Sequence, residues 1–159
     1  MIVRDAPGKG RGVFAARPFA AGDVILGYET GPIVDRDGLA RLSPWEREHL
    51  SEVGVGLWRV LPEPRAYLNH ACDPNAVSTE RSVVALRDIA ADDEIVIDYR
   101  LNAYDDGDIW IMRCACDPAR GPHEVSGDFF SLPDATQRRY LEWAPAFIRQ
   151  MHADRQRSA

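Results

Sequence analysis

Short apolar runs separated by turn residues dominate the first two thirds of the chain. β-branched and other apolar residues cluster at 24–28, 83–86 and 95–99, and glycine, proline, asparagine or aspartate interrupts the chain between such runs. Runs of this length and composition are typical of β-strands. A further apolar strand is predicted to end at Leu68, where turn residues follow.

Two segments carry helical spacing instead. Between 37 and 52 the apolar positions recur at helical intervals, and Ser43 followed by Pro44 marks a helix start, so a short helix is predicted from about Pro44 to Ser51. The segment 133–155 also has helical periodicity, which Pro145 is predicted to break or kink. We interpret this second segment as a packing extension, with a binding face for a partner as the alternative.

Composition predicts one compact domain. The chain has 159 residues, of which 45% are hydrophobic and 28% charged, enough for one core and too few for two large domains. No apolar run is long enough for a membrane span, and Asp5, Lys9 and Arg11 stand where a secretory signal needs apolar residues. A soluble cytoplasmic protein with no membrane partner is therefore expected, and secretion as an effector stays open.

The charge balance favours a basic polypeptide as partner. The formal net charge of −6 argues against direct nucleic-acid binding, because affinity for phosphate backbones comes from basic contacts. Two acidic clusters, at 92–94 and at 105–108, are candidates for steering a lysine-rich substrate; the alternative is that both are solvated loops.

The segment YLNHACDPN, residues 67–75, is predicted to be a turn that carries candidate ligand-binding side chains. Asn69 and Asn75 favour side-chain to backbone hydrogen bonds and Asp73-Pro74 presets a turn, so the loop is predicted to be rigid. Taken alone, it either presents Asn69 and His70 to a ligand or only satisfies its own backbone.

The segment VVALRDIAADDEIVIDY, residues 83–99, is predicted as a strand, an acidic turn and a second strand that ends at Tyr99. A plain β-hairpin is the simplest interpretation. Near the amino end, glycines at 8, 10 and 12 permit close backbone approach to a ligand. Their spacing fits neither a dinucleotide-binding fingerprint nor a phosphate-binding loop.

Together and in this order, the three segments resemble the motifs of the SET-domain protein lysine methyltransferases. The resemblance implies a mainly β fold of small curved sheets (a β-clip), with a pseudoknot-like C-terminal loop, a short insert helix and a C-terminal helix. It also implies a SET domain at 1–108 with an insert at about 36–63, a post-SET segment at 109–131 and a helical extension at 132–159.

The resemblance implies S-adenosyl-L-methionine as cofactor and methylation of a lysine in a basic protein, such as a histone or a bacterial histone-like protein. The implied catalytic residues are Tyr99 and Tyr28: Tyr99 matches the catalytic tyrosine of the family, and Tyr28 matches a tyrosine of its lysine channel. The implied cofactor-binding residues are Lys9, Gly10, Arg11, Gly12, Asn69, His70 and Tyr99.

The lysine channel would be lined by Tyr28, Ile97 and Tyr99. At the position of Ile97 the family usually has phenylalanine or tyrosine, which limits how many methyl groups are added. Because isoleucine has no hydroxyl to hold a water molecule, we expect di- or trimethylation to be permitted.

The three cysteines also fit the family in part. Cys72, Cys114 and Cys116 match three of the four cysteines that hold a zinc ion in many SET proteins, but Gly121 stands at the fourth position. A tetrahedral site needs four ligands, so either His123 completes a Cys3His set or zinc is absent. A disulfide, Cys114 with Cys116 or Cys72 with Cys114, is the third interpretation.

Two other functions compete with the methyltransferase. The incomplete cysteine set and Ile97 are compatible with a catalytically silent SET-like module that binds a cofactor or partner. A cysteine hydrolase using Cys72 and His70 is disfavoured because no residue in the sequence identifiably orients the histidine.

Overall fold

The computed structural model describes residues 1–27, 31–105, 110–116, 119 and 121–158. Within these ranges the structure is mainly β, as predicted, and its short strands form five small sheets. In chain order the strands are β1 (Ile2–Ala6), β2 (Gly10–Phe14), β3 (Val24–Leu26), β4 (Ile33–Asp35), β5 (Leu50–Gly54), β6 (Leu57–Val60), β7 (Asn69–His70), β8 (Ala76–Ser78), β9 (Val83–Ala85), β10 (Val96–Ile97), β11 (Ile111–Cys114) and β12 (His123–Ser126).

The helices are short except for the last. They are α1 (Arg36–Leu39), α2 (Pro44–Glu48), α3 (Asp134–Tyr140) and α4 (Ala146–Ser158), with 3₁₀ turns at Arg65–Tyr67, Tyr99–Asn102, Phe129–Ser131 and Leu141–Trp143. No described helix is both long and apolar enough to cross a bilayer.

The sheets are arranged as hairpins and three-stranded layers. Strands β1 and β2 form one antiparallel hairpin, and β11 and β12 form another. The two three-stranded sheets have the orders β3-β9-β8 and β4-β6-β5, and the second of these lies within residues 33–60, which overlap the predicted insert. The apolar faces of the β1–β2 hairpin, the β3-β9-β8 sheet and the loop before β10 meet in one core. Its fully buried members include Val13, Val83 and Ile95.

A parallel pair between β7 and β10 joins the two most distant motifs. Val96 lies opposite Asn69 and Ile97 opposite His70. The side chain of Asn75 continues the pairing, because its Nδ2 donates to the Glu94 carbonyl (2.8 Å) and its Oδ1 accepts from the Val96 N–H (2.9 Å). The segments at 83–86 and 95–99 therefore do not form a hairpin with each other, since β9 lies between β3 and β8.

The C-terminal helices pack on the domain. Pro145 separates α3 from α4 as predicted, and Tyr140 and Ile148 are buried with Phe129, Val77 and Val84 in a second core cluster. These contacts support the interpretation as a packing extension, whereas the division of the chain at 108 and 131 stays a prediction.

Three local predictions differ from the structure. The helix predicted to reach Ser51 ends at Glu48, and β5 follows it. The strand predicted to end at Leu68 is wrong: proline at 62 and 64 removes backbone donors, and a 3₁₀ turn precedes Leu68. The strand predicted to reach Tyr99 ends at Ile97, because the Asp98 side chain accepts from the Arg100 N–H and starts a 3₁₀ turn.

Candidate active site and metal centre

The glycine hairpin meets the Asn69 loop through one carboxylate, Glu94. The Asn69 amide donates to the carbonyl of Arg11 (2.9 Å) and to Oε1 of Glu94 (2.8 Å). The Nζ of Lys9 lies 2.6 Å from Oε2 of Glu94. An ammonium, a carboxylate and an amide thus converge where β2 passes the loop.

Glycine at position 12 permits this close approach. A Cβ at Gly12 would lie 2.9 Å from both the Ala6 Cβ and Glu94 Oε1, and 3.1 Å from Asn69 Nδ2. Gly10 has a φ of 81°, which favours glycine, and a Cβ at that position would have no heavy atom within 4 Å. The backbone here is therefore open to a ligand on one side and tightly packed on the other.

Tyr99 lies at the wall of a cleft of about 610 Å³. The cleft runs between residues 39–61 and the rest of the domain, and its lining includes Leu68, Ile97 and Trp110 beside Tyr99. The Tyr99 hydroxyl donates to the Leu68 carbonyl at 2.8 Å, and the Trp110 ring meets the Tyr99 ring edge-on at 6.3 Å between centroids. Tyr28, the other predicted channel tyrosine, lies outside the described residues.

The phenol of Tyr99 is held in its neutral form. Burial, and then the negative charge of Glu94, raise the pKa of Tyr99 to about 12. An ionised phenol is therefore not available near neutral pH, and the hydroxyl offers the cleft its oxygen lone pairs.

His70 is buried behind Tyr99. The Tyr99 backbone N–H donates to His70 Nδ1 at 3.3 Å, and the carboxylate of Asp98 lies 3.6 Å from the same nitrogen. Burial lowers the pKa of His70 to about 4, although Asp98 opposes the shift, so the imidazole is neutral. Arg100 binds both carboxylate oxygens of Asp98, at 2.9 and 2.6 Å.

Cys72, Cys114, Cys116 and His123 form a compact cluster. Their ligand atoms all lie within 4.8 Å of one another. Cys114 faces His123 across the β11–β12 hairpin, and the backbone N–H of Cys72 donates to the Cys116 sulfur at 3.3 Å. All three cysteines are free thiols, so neither of the two disulfides considered as an alternative is formed.

The tautomer of His123 suits a metal ligand. Its Nδ1 lies 3.1 Å from the Gly121 carbonyl, which can only accept, so Nδ1 carries the proton. The lone pair of Nε2 then points toward the cysteines, 3.3 Å from the Cys72 sulfur. A backbone partner on the distal nitrogen is the usual arrangement for a metal-binding histidine.

The thiols hold their protons unevenly. Burial, followed by the Cys116 hydrogen bond, raises the pKa of Cys72 to about 12, and burial also raises the pKa of Cys114. Burial opposes ionisation of Cys116 too, but hydrogen bonds donated by the Cys72 N–H and the neighbouring thiols lower its pKa overall. Three thiols and an imidazole at this spacing fit a tetrahedral zinc ion, whose binding would release protons.

The structure brings most of the predicted residues together in two adjoining groups, one around Glu94 and Tyr99 and one around Cys72. Sequence reasoning missed three contributors: Glu94 as the hub of the hairpin, Asp98 as the partner of Arg100, and Trp110 in the cleft. Glu94 and Asp98 lie within the motif that ends at Tyr99, but no spacing rule indicates what they contact.

The first acidic cluster is partly paired within the chain, and its role in steering a substrate stays a prediction. Asp93 accepts from the Ala90 N–H, and Glu94 binds Lys9 and Asn69. Of the second cluster, residues 106 and 108 lie outside the described residues.

Comparison with known proteins identifies the class. A family model described as the SET domain matches residues 10–100, more than half of the chain, and the chain therefore belongs to the SET-domain family. It is 35% identical over 130 residues to histone-lysine N-methyltransferase ATX2 of Arabidopsis thaliana, a match covering 67% of this chain and 11% of that protein.

A solved structure also matches. It is a humanized mutant of the Chaetomium thermophilum Polycomb Repressive Complex 2 bound to the inhibitor GSK126, with 26% sequence identity and a TM-score of 0.52. The match covers 64% of this chain and 15% of that one. The predicted SET-type fold is thus confirmed, and the chain spans only a small part of the length of the relatives it matches.

Proposed function

We propose that this chain is an S-adenosyl-L-methionine-dependent protein-lysine N-methyltransferase. The observation that carries the proposal is the Tyr99 hydroxyl, which is fixed on the Leu68 carbonyl at the wall of a cleft, with the Asn69 loop adjoining it. Membership of the SET family and similarity to a histone-lysine N-methyltransferase support the reaction class.

The residues around Glu94 fit the amino-acid end of such a cofactor. That end carries an ammonium and a carboxylate, and the site offers the Glu94 carboxylate, the Lys9 ammonium and the Asn69 amide. Gly10 and Gly12 keep the β2 backbone accessible and close to the loop. When bound, the cofactor supplies an electrophilic methyl group on a positively charged sulfur.

The cleft would select the neutral form of the substrate amine. Free lysine has a pKa of about 10.4, and an apolar channel beside a positive charge disfavours its ammonium form. Leu68, Ile97 and Trp110 supply apolar walls of this kind. The main contribution to rate would then be alignment of the amine with the methyl group.

Tyr99 would act as a fixed dipole and not as a base. Its proton is engaged with Leu68 and its pKa is raised, so the oxygen lone pairs are the groups that it can present. Lone pairs directed at a positively polarised methyl group orient and stabilise it without any proton transfer.

Cys72, Cys114, Cys116 and His123 would hold a zinc ion. The ion would supply a cross-link between the Asn69 loop and the β11–β12 hairpin and would take no part in the chemical step. The hairpin carries Ile111 and Met112, which line the cleft, so the cross-link would fix one wall of the substrate site.

The substrate we propose is a basic, lysine-containing protein. The net charge of −6 and the similarity to a histone-lysine N-methyltransferase both favour it.

The geometry argues against a thiol hydrolase. In such a site the ring nitrogen that faces the thiol must lack a proton, so that it can take the thiol proton. Here Nδ1 of His70 accepts from the Tyr99 N–H, so the proton of the neutral ring lies on Nε2, which is the nitrogen that faces Cys72.

Calorimetric titration with S-adenosyl-L-methionine tests the cofactor site without knowledge of the substrate. We expect saturable one-to-one binding by the zinc-loaded protein, and weakened binding by Asn69→Ala, which removes the amide from Glu94. His152→Asn, on α4, is the matched control and should bind as the wild type does. No binding by folded wild-type protein would contradict the proposed function.

A further inference from the structure

The imidazole of His70 makes a contact at each of its two nitrogens. Nδ1 lies 3.3 Å from the backbone nitrogen of Tyr99, and Nε2 lies 3.4 Å from the sulfur of Cys72. One ring therefore spans the distance between the candidate metal centre and the tyrosine proposed to be catalytic.

The directions of the two hydrogen bonds follow from the partners. A backbone N–H can only donate, so Nδ1 must be the acceptor and carries no proton. In a neutral imidazole the proton then sits on Nε2, which donates to the Cys72 sulfur. A thiolate is a better acceptor than a thiol, so this bond is strongest when Cys72 is ionised, as it is on a metal.

The ring is fixed in this orientation by its surroundings. His70 is only 3% exposed, so water does not compete for either nitrogen. The His70 and Tyr99 rings are in edge contact, with their centroids 5.4 Å apart. The Asp98 carboxylate also lies beside Nδ1. Because Arg100 donates hydrogen bonds to both of its oxygens, this carboxylate has partners without a hydrogen bond from the His70 ring.

We propose that His70 is a positioning residue that joins the metal centre to Tyr99: its Nε2–H donates to the Cys72 thiolate, while its Nδ1 fixes the Tyr99 backbone. The proposal rests on the proposed function for its consequence, which is that a bound metal fixes Cys72, Cys72 fixes the ring, and the ring fixes the start of the 3₁₀ turn that carries the Tyr99 hydroxyl.

Two substitutions separate the two ends of the ring. In His70→Asn the side chain can place an acceptor near the Nδ1 position but has no atom that reaches Cys72. In His70→Gln the longer amide can place a donor near the Nε2 position and leaves the Tyr99 N–H without its acceptor. His152→Asn, a histidine substitution on α4, is the matched control.

Cobalt(II) loading reports on the sulfur without any turnover. A hydrogen bond to a thiolate stabilises its electrons and raises the energy of the thiolate-to-cobalt absorption band. We expect this band to move to longer wavelength in His70→Asn and the metal affinity to fall by about 10-fold or more. Both should stay near the wild-type values in His70→Gln and His152→Asn.

Kinetic measurements test the contact between His70 Nδ1 and the Tyr99 backbone. In zinc-loaded His70→Gln we expect a lower kcat with little change in the KM for S-adenosyl-L-methionine, because the cofactor contacts remain and only the alignment of Tyr99 is lost. An unchanged kcat in a folded His70→Gln protein would overturn the link to Tyr99.

Nuclear magnetic resonance on the wild-type protein needs no substitution. Nitrogen-15 spectra of the imidazole should show the His70 proton on Nε2, and loading with cadmium-113 should give a scalar coupling between that proton and the metal through the Cys72 sulfur. A proton on Nδ1, or an unshifted cobalt band in His70→Asn, would overturn the proposal. The cobalt and cadmium results do not depend on methyl transfer, so failure of the proposed function is distinguished from failure of this link.

Discussion

Tyr99 illustrates how its surroundings decide what a side chain can do. Its hydroxyl proton is donated to Leu68, and burial together with Glu94 raises its pKa to about 12. The phenol therefore stays neutral over the range in which a lysine amine loses its proton.

This state of Tyr99 predicts the pH dependence of methyl transfer. As pH rises, more of the free substrate lysine is neutral, so kcat/KM should increase up to about pH 10. Because the pKa of the Tyr99 phenol is raised, its hydroxyl loses its proton only near the folded-state pKa of about 12. Any fall in rate caused by that loss is therefore expected near the same pH. Initial rates on core histones, with circular dichroism at each pH as a folding control, test this. A rate that falls between neutrality and about pH 9 in folded protein would contradict it.

Ile97 is half-buried in the cleft beside Tyr99. Because it has no hydroxyl to hold a water molecule, we predict that the wild-type protein produces di- or trimethyllysine and that Ile97→Tyr shifts the product toward monomethyllysine. Mass spectrometry of the modified histones measures the ratio. Ile33→Tyr adds the same ring at an exposed position that does not line the cleft and should leave the ratio unchanged. A wild-type product that is strictly monomethylated would rule out this role for Ile97.

The β1–β2 hairpin depends on close packing at Gly12. A Cβ there would lie 2.9 Å from the Ala6 Cβ in the paired strand, and the Glu94 carboxylate would have to move. We predict that Gly12→Ala lowers the free energy of unfolding by about 1–3 kcal/mol and weakens binding of S-adenosyl-L-methionine.

Denaturant unfolding and calorimetry measure the two effects. Gly27→Ala is the control, because a Cβ at Gly27 would have no heavy atom within 4 Å. Equal stability and equal cofactor affinity in the two variants would show that the close approach at Gly12 is unimportant.

Local chemistry makes part of the structure predictable. The helix start at Ser43-Pro44 follows from residue type and immediate neighbours. Asn69 and Asn75 do form side-chain to backbone hydrogen bonds, but their partners belong to segments far along the chain. The motif order, through its resemblance to a family, also indicates the fold and the residues that form the site.

Contacts between distant segments are not predictable in the same way. The parallel pairing of β7 with β10, the Glu94 contacts and the hydrogen bond between His70 and Tyr99 each join segments far apart in the chain. Alternation and turn residues describe each strand but do not say which strands pair. Before Leu68, apolar composition favours a strand, but two prolines interrupt it and a 3₁₀ turn forms instead.

At the scale of the whole molecule, the cysteine cluster joins two distant parts of the chain. Cys72 belongs to the Asn69 loop, whereas Cys114 and Cys116 belong to the β11–β12 hairpin and its end, so a metal there would hold one wall of the cleft on the domain. We predict that the metal-loaded protein reacts slowly with a thiol reagent and that a chelator makes all three thiols reactive.

The same chelation should lower the melting temperature and the methyl-transfer rate together, and zinc should restore both. His123→Ala, which removes one ligand, should make the thiols reactive before any chelator is added, whereas His49→Ala should not. Three thiols that react equally fast with and without chelator, in protein supplied with zinc, would argue against a metal centre.

The most direct measurement is transfer of a radiolabelled methyl group from S-adenosyl-L-methionine to core histones by wild-type protein and by Tyr99→Phe. The chain's single lysine, Lys9, limits self-labelling to one site, which protein-only reactions measure. We predict labelled histone lysines with the wild-type protein and a rate lower by about 100-fold with Tyr99→Phe, at nearly unchanged cofactor affinity. Equal rates would contradict the role of Tyr99, and cofactor binding with no transfer to histones or other basic proteins would indicate a silent SET-like module instead.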